Sequence, residues 1–406
     1  MRRALLPAWT AVLCLGLVLA PSAPVAAADS GATAQRAVRS WDVAGPSRVT
    51  VSGHGFGHGH GMSQYGAEGA ARQGLTYRQI ASFYYPGTTW ATSAGRVVVQ
   101  LTRDTTPSSL MVRAASGLTL RDTAATGRTA LPANGAKRWR VTTDARGVSR
   151  VSYLTDRWRA WATLKGRGEF FAGGAPITLM TSTGDRAYRG RLRTAVTASG
   201  TRVTVNDLTL DNYLRGVVPL EMPALWSPAA VRAQAVAART YAAYERAHPI
   251  SSAYQICDTS SCQVYGGYDA EHPATDRAIA ATRGRILTSR GEPAFTQFGS
   301  SSGGWTSAGS VPYLSARQDP YDDWSGNPVH DWKERLTDAT LERAWPKVGD
   351  LTRIAVTSRD GNGAWGGRVR SITLVGTRGR VVVGGDDFRS RLGLRSTWLT
   401  FSVAPR

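Results

Sequence analysis

Of the six histidines in the chain, His54, His58 and His60 fall in one glycine-rich run, "SGHGFGHGHGMSQYGAEGAA" over 52–71. Their spacing raises metal binding first. His54 and His58 are four apart, which would align them on a helix, but the glycines around them each cost up to about 1 kcal/mol in a helix interior. His58 and His60, two apart, would share one face of a strand as a bidentate pair. No glutamate follows as in a zinc-protease helix, and no Gly-Lys-Ser/Thr ending supports a phosphate loop. What the glycines do supply is close backbone approach and positive φ. A sugar ring can lie against such a loop, with His58, Ser63 and Gln64 as hydrogen-bonding groups. The other reading is a tight turn around a satisfied core histidine.

The second candidate is a single acid. Glu221 lies between Leu220 and Met222 inside a Pro219–Pro223 bracket. The prolines stiffen the backbone around the carboxyl. Apolar neighbours disfavour its charged form and raise its pKa, as a general acid requires. The positive end of the helix predicted just downstream pushes the other way. Ordinary glycoside hydrolysis would need a second carboxyl at a set separation. Asp207, Asp211, Asp322 and Asp323 are the candidates, each also readable as a turn residue.

The string "YLRGVVPLEMPALWSPAAVRAQAVAARTYA" around Glu221 resembles the signature of the SpoIID/LytB family. The likeness extends through "YRGRLRTAVTASGTRVTVNDLTLDNYL", "CQVYGG", "FGSSSGGWT", "PYLSARQDPYD" and "FRSRLGLRSTW", and through the glycine-histidine segment itself. The resemblance implies a SpoIID-like mixed fold and action on bacterial cell-wall peptidoglycan. It implies a lytic transglycosylase that cleaves the MurNAc–GlcNAc β-1,4 bond with Glu221 as acid and then base. A non-catalytic, peptidoglycan-binding amidase enhancer is the alternative. Matched positions give Gln234, Arg239, Tyr265, Ser301 and Ser302 as substrate-binding residues beside His58, Ser63 and Gln64. Tyr241, Gly303 and Gly304 also fall on the pattern. In family members the glycine-histidine segment follows the "LGLRST" strand, whereas here it comes near the N-terminus. The order resembles a circular permutation, so "RVTVSGHGFG" is expected beside "TWLTFSV".

The elements that must position these residues form a strand-rich α+β pattern. Ser227 is a candidate cap and Pro228 a first helical residue for a long alanine-rich helix over about 227–247. Arg239 within it is either buried and paired or solvated on the outer face. A short helix ending near Pro86-Gly87 is expected in "LTYRQIASFYYPGTTW", and a helix in "ATDRAIAATRG" followed by the strand "RILTS". From Arg96 to about Val205, β-branched runs broken by Gly, Asp and Asn read as strands and turns. The expected divisions are a signal peptide over 1–28, a leader plus glycine-histidine segment over 29–95, a β-rich region over 96–185 and a SpoIID/LytB-like core over 186–406.

Arg2 and Arg3, the apolar stretch 4–20 and the small residues through Ala28 read as a secretory signal. The formal charge is +20, falling to +18 without Arg2 and Arg3, and only four residues are lysine. An exported basic protein suits anionic wall polymers. Nucleic acid is excluded as a partner, because the cations are singly spread with no binding motif. No later segment is long enough to span a bilayer. Expected partners are peptidoglycan glycan strands and a cell-wall amidase. In an oxidising compartment Cys257 and Cys262 pair as a disulfide. Their gap also fits half a zinc site with His248 or His272. The disulfide is preferred, and no cofactor or metal ligand set is assigned.

Overall fold

The computed structural model describes residues 39–105, 109–144 and 148–406. The signal peptide expected over 1–28, and the leader up to residue 38, lie outside the described residues. From Arg39 onward the described residues form one compact unit.

Two sheets make the β-rich part. One runs Trp158–Leu164, Ser149–Leu154, Arg138–Thr143, Ser109–Arg113, Ile177–Leu179, Arg186–Tyr188 in spatial order. The other runs Ile256–Cys257, Arg96–Gln100, Arg202–Thr209, Arg191–Val196, Gly168–Phe171, Thr119–Asp122, Thr129–Ala130. Their inward alternation (Val97, Val99, Leu110, Val112, Leu120, Val141, Phe170, Leu192) buries a shared core. That is the period-2 pattern of half-buried strands. The expected boundary at 185/186 falls between the paired strands Ile177–Leu179 and Arg186–Tyr188, so the chain passes it inside a hairpin.

Helices join this core. They are α1 (Gln64–Arg72), α2 (Tyr77–Tyr84), α3 (Leu210–Arg215), α4 (Val218–Glu221), α5 (Pro228–Ala247) and α6 (Pro273–Ala281). Thr76 and Gln79 close a capping box on α2, which stops at Tyr84, just before Pro86-Gly87. Along α5, alanines 233, 235, 237, 238, 242 and 243 are buried. Side chains that small let α1, α2, α3, α6 and the strand Arg285–Ser289 pack close around it. Pro228 is at the start of α5 as expected, but Ser227 makes no side-chain cap to the helix.

A second core lies under the C-terminal sheets, among Val49, Val51, Ile354, Ile372, Leu374, Phe388 and Phe401. There the strand Ser47–His54 sits between Asp331–Thr337 and Leu399–Pro405, antiparallel to both. Val51 faces Phe401 and Gly53 faces Leu399. The adjacency expected of "RVTVSGHGFG" and "TWLTFSV" is therefore present.

Candidate functional site

Glu221 ends α4, a single turn whose Val218 is buried and whose following residue, Met222, is also buried. Pro219 occupies the first turn, where its missing N–H costs nothing. These anchors hold Glu221 half-buried, next in the chain to exposed Leu220 (47%). The Val264 amide donates to its Oε1 at 3.0 Å, and the Gln64 side chain hydrogen-bonds it as well. Burial pushes the Glu221 pKa up; the Val264 amide and Gln64 pull it back only in part. No second carboxyl is among the groups that shift it. Among the described residues no lysine or arginine forms an ion pair with it.

The N-terminal end of α5 has an acid of its own. Glu68 of α1, itself 1% exposed, takes that place. It accepts from the Ser227 amide at 2.8 Å, the Ser227 hydroxyl at 3.1 Å and Arg72 at 2.8 Å. An anion at a helix N-terminus satisfies otherwise unpaired amides. Glu68 was missed in the sequence, although an acid amid "YGAEGAA" just after the glycine run was the available signal.

The glycine-histidine run interlocks with the loop after Gln297. Met62–Ser63 pairs in parallel with Phe298–Gly299, Phe56 bridges Ser301, and His60 bridges Ser307. Gly61 has φ +66°, and a Cβ there would stand 2.0 Å from the Gln297 carbonyl oxygen. At Gly66 a Cβ would meet the Tyr84 hydroxyl at 2.0 Å. Only glycine permits this closeness, and it is what carries Gln64 to Glu221. The histidines do not converge on a metal. His58 Nδ1 accepts from the His60 amide at 2.9 Å, and burial, then nearby His60, lowers its pKa to about 4. His60 Nδ1 bonds Gln297 at 3.2 Å, and His54 Nδ1 bonds Asp331 at 2.5 Å. Among the described residues no group of three or more His, Cys, Asp or Glu could hold a metal ion.

Several expected substrate contacts face inward. Arg239 is fully buried and grips Asp211 at 2.9 Å and the Ile279 carbonyl at 3.2 Å, tying α5 to α3 and α6. The Tyr265 hydroxyl donates to Asn206 at 2.7 Å, and its ring packs on Tyr188 and Tyr213. Gln234 is fully buried, and its amide finds no partner among the described residues. Ser63, Ser301 and Ser302 are buried around two acids. Ser63 donates to Asp322 at 2.5 Å, Ser301 to Asp322 at 2.7 Å, and Ser302 to Asp319 at 2.8 Å. Burial opposes charge on Asp322, but bonds from His330, Ser63 and Ser301 outweigh it and hold its pKa low. Asp319 is pushed up by burial and by the charge of Asp322. Burial in these places keeps the side chains from a polymer, so their work is to brace the loop. Of the eight positions, Gln64 alone is brought onto Glu221.

The candidate second carboxyls are likewise engaged. Asp207 pairs with Arg96 at 2.6 Å and Asp211 with Arg239, while Asp323 is exposed beside His330. Cys257 and Cys262 form a disulfide with Cα atoms 5.6 Å apart. It closes the loop that leads into Val264. His248 stacks on Tyr244, and His272 caps α6. A cleft of about 670 Å³ lined by Arg96, Asp211, Arg215 and Arg283 does not include Glu221.

Residues 198–289, which contain Glu221, match the family profile described as SpoIID, stage II sporulation protein. The family match and the curated relatives support a SpoIID/LytB likeness for this part of the chain. It is 37% identical over 139 residues to the amidase enhancer of Bacillus subtilis (strain 168), covering 33% of this chain and 19% of that protein. It is 30% identical over 219 residues to stage II sporulation protein D of the same organism, covering 48% of this chain and 60% of the relative. Stage II sporulation protein D of Bacillus amyloliquefaciens is 29% identical over 217 residues, again with 60% of its length covered. The chain thus spans at most three-fifths of these relatives.

Proposed function

We propose that this protein is an exported lytic transglycosylase acting on peptidoglycan glycan strands. The observation that carries the reading is the isolation of Glu221. Its carboxyl is half-buried and has a raised pKa, and among the described residues it has no cation partner and no second carboxyl acting on it. One carboxyl suffices for this chemistry. Protonated Glu221 donates to the glycosidic oxygen as the muramoyl C1–O bond breaks, freeing the 4-hydroxyl of the leaving N-acetylglucosamine. The resulting carboxylate, steadied by the Val264 amide and Gln64, accepts the proton of the muramoyl 6-hydroxyl as that oxygen bonds C1. The product is a 1,6-anhydro end, water is not consumed, and Glu221 returns protonated. Exposed Leu220, next to the acid in the chain, and Val264, whose amide bonds it, offer apolar surface to sugar ring faces.

Purified protein should release anhydro-ended products, read by mass spectrometry, from intact peptidoglycan or from glycan stripped of stem peptides. Glu221→Gln should lower the rate by about 10²–10⁴-fold, the usual worth of a general acid. The rival reading is a wall-binding protein that stimulates an amidase without cleaving glycan. Wild-type protein that binds both substrates, yields no anhydro ends and still accelerates an amidase would replace our reading with that one.

A further inference from the structure

The outer face of the seven-stranded sheet carries arginines in excess of the acids that could pair with them. Glu169 is directly opposite Arg121 on one side and Arg193 on the other, and in the next row Arg191 faces Asp207. The alternating residues Leu120, Phe170 and Leu192 point into the core, so this row points outward. Arg96 and Arg128 join it, and Arg167 enters from the adjoining turn. Six arginines thus meet two carboxylates, Glu169 and Asp207. The nearby Asp122 is already taken up by the amides of Ala124, Lys165 and Gly166.

The two carboxylates do not satisfy the donors around them. Glu169, fully buried, accepts from Arg121 at 3.1 Å and Arg128 at 2.6 Å. Arg121 Nε, Arg128 Nη1 and Arg191 Nε remain buried with no acceptor. The Arg193 and Arg167 side chains form no hydrogen bond or ion pair among the described residues, and both line a pocket of about 400 Å³ with Arg121, Thr123, Gly166 and the two carboxylates, Glu169 and Asp207. Buried unpaired donors and clustered like charges are each costly. An anion in this pocket would give Arg121, Arg167 and Arg193 an acceptor and offset their mutual repulsion.

We propose that this pocket binds the phosphate groups of a phosphodiester-linked polyol polymer, an anionic wall component, at a site separate from Glu221. Guanidinium forks match phosphate oxygens in pairs. Arginines on successive strands, about 4.8 Å apart in the sheet direction, can engage several phosphates of one chain. Nucleic acid shares the phosphodiester but would need bare rings for its bases to stack on. None of the pocket's lining residues is aromatic, and neighbouring Phe171 is covered by Arg128 at 4.8 Å.

The test uses the whole chain and a labelled glycerol-phosphate oligomer, with affinity measured by anisotropy over a salt series. The double variant Arg167→Gln/Arg193→Gln should bind at least about 10-fold more weakly and lose about two units of salt slope. A charge-matched control, Arg370→Gln/Arg380→Gln on the C-terminal sheet, should bind as wild type. Equal loss in the control, or none in the double variant, overturns the site. A single-stranded oligonucleotide or a polyglutamate of equal charge that binds as tightly through the same arginines overturns the assigned chemistry. Inorganic phosphate that competes as well per phosphate as the oligomer does overturns the polymer. Should the double variant not fold, Arg167→Gln alone, at an exposed and unbonded side chain, decides the same question. Glu221→Gln should bind the oligomer unchanged, so failure here and failure of the proposed cleavage are read independently.

Discussion

In the proposed reaction Glu221 is protonated when substrate arrives and ionised a moment later. Burial favours the first state; the Val264 amide and Gln64 favour the second. Replacing Gln64 with leucine removes a donor to the carboxylate, so the folded-state pKa should rise further above its ordinary value. The protonated acid then persists to higher pH. The alkaline limb of the kcat/KM profile should shift upward relative to wild type, while the value on the acid side of that limb stays nearly level. A Gln64→Leu profile that falls uniformly, with its limb unmoved, would mean that Gln64 merely braces α1. Part of this site is readable in the sequence. Two prolines and a flanking leucine and methionine mark Glu221, but the net direction of its pKa shift is not readable, because the helix end downstream opposes the apolar neighbours. Val264 is not readable, because a backbone amide leaves no mark in residue type. Ser301, Ser302 and Tyr265 mislead because serines and a tyrosine near a family motif look the same whether they face a ligand or a buried aspartate.

At the scale of elements, α5 is legible because its alanine run, Pro228 and lack of breakers all agree. Its N-terminal partner is not, because Glu68 arrives from a distant stretch of chain. That contact couples the glycine-histidine segment to the helix behind Glu221. Removing it with Glu68→Ala strands the Ser227 amide and hydroxyl and the Arg72 guanidinium, at a cost of roughly 1–3 kcal/mol. Chemical denaturation should show that loss as a lower midpoint with an unchanged m-value. If Glu68 serves the helix end alone, Glu68→Gln, which keeps an acceptor oxygen, should recover a good part of the stability. A Glu68→Ala protein as stable as wild type would show that α5 needs no anion there. The strands of the β-rich part were legible as a class from their β-branched alternation, but their pairing order was not. Register across a sheet depends on partners far apart in sequence.

At the scale of the whole molecule, the two sequence ends of the described fold meet in one sheet. Ser47 faces Pro405 across an antiparallel pair, and the Arg406 amide donates to the Pro46 carbonyl at 3.1 Å. A turn of a few residues can therefore join Arg406 to Gly45. The chain can be reopened between Gly87 and Thr88, where Gly87 is exposed in a turn and a Cβ would meet nothing within 4 Å. This rearrangement restores the segment order expected of the family. Nearly every pairing described above survives it, because contacts depend on position in space and chain closure costs change only slowly with loop length. What it loses is the edge strand Arg39–Asp42, which pairs with Leu351–Arg359, and Val43 behind it. The permuted protein should therefore fold cooperatively and melt at the same temperature as an unpermuted chain starting at Gly45. That truncated chain is the comparison that matters, since it bears the same loss of edge strand. A permutant that stays unfolded while the truncated chain folds would show that the covalent link between α2 and the strand Thr89–Thr92 is needed, and that the sheet contact between the termini is not a sufficient substitute for it.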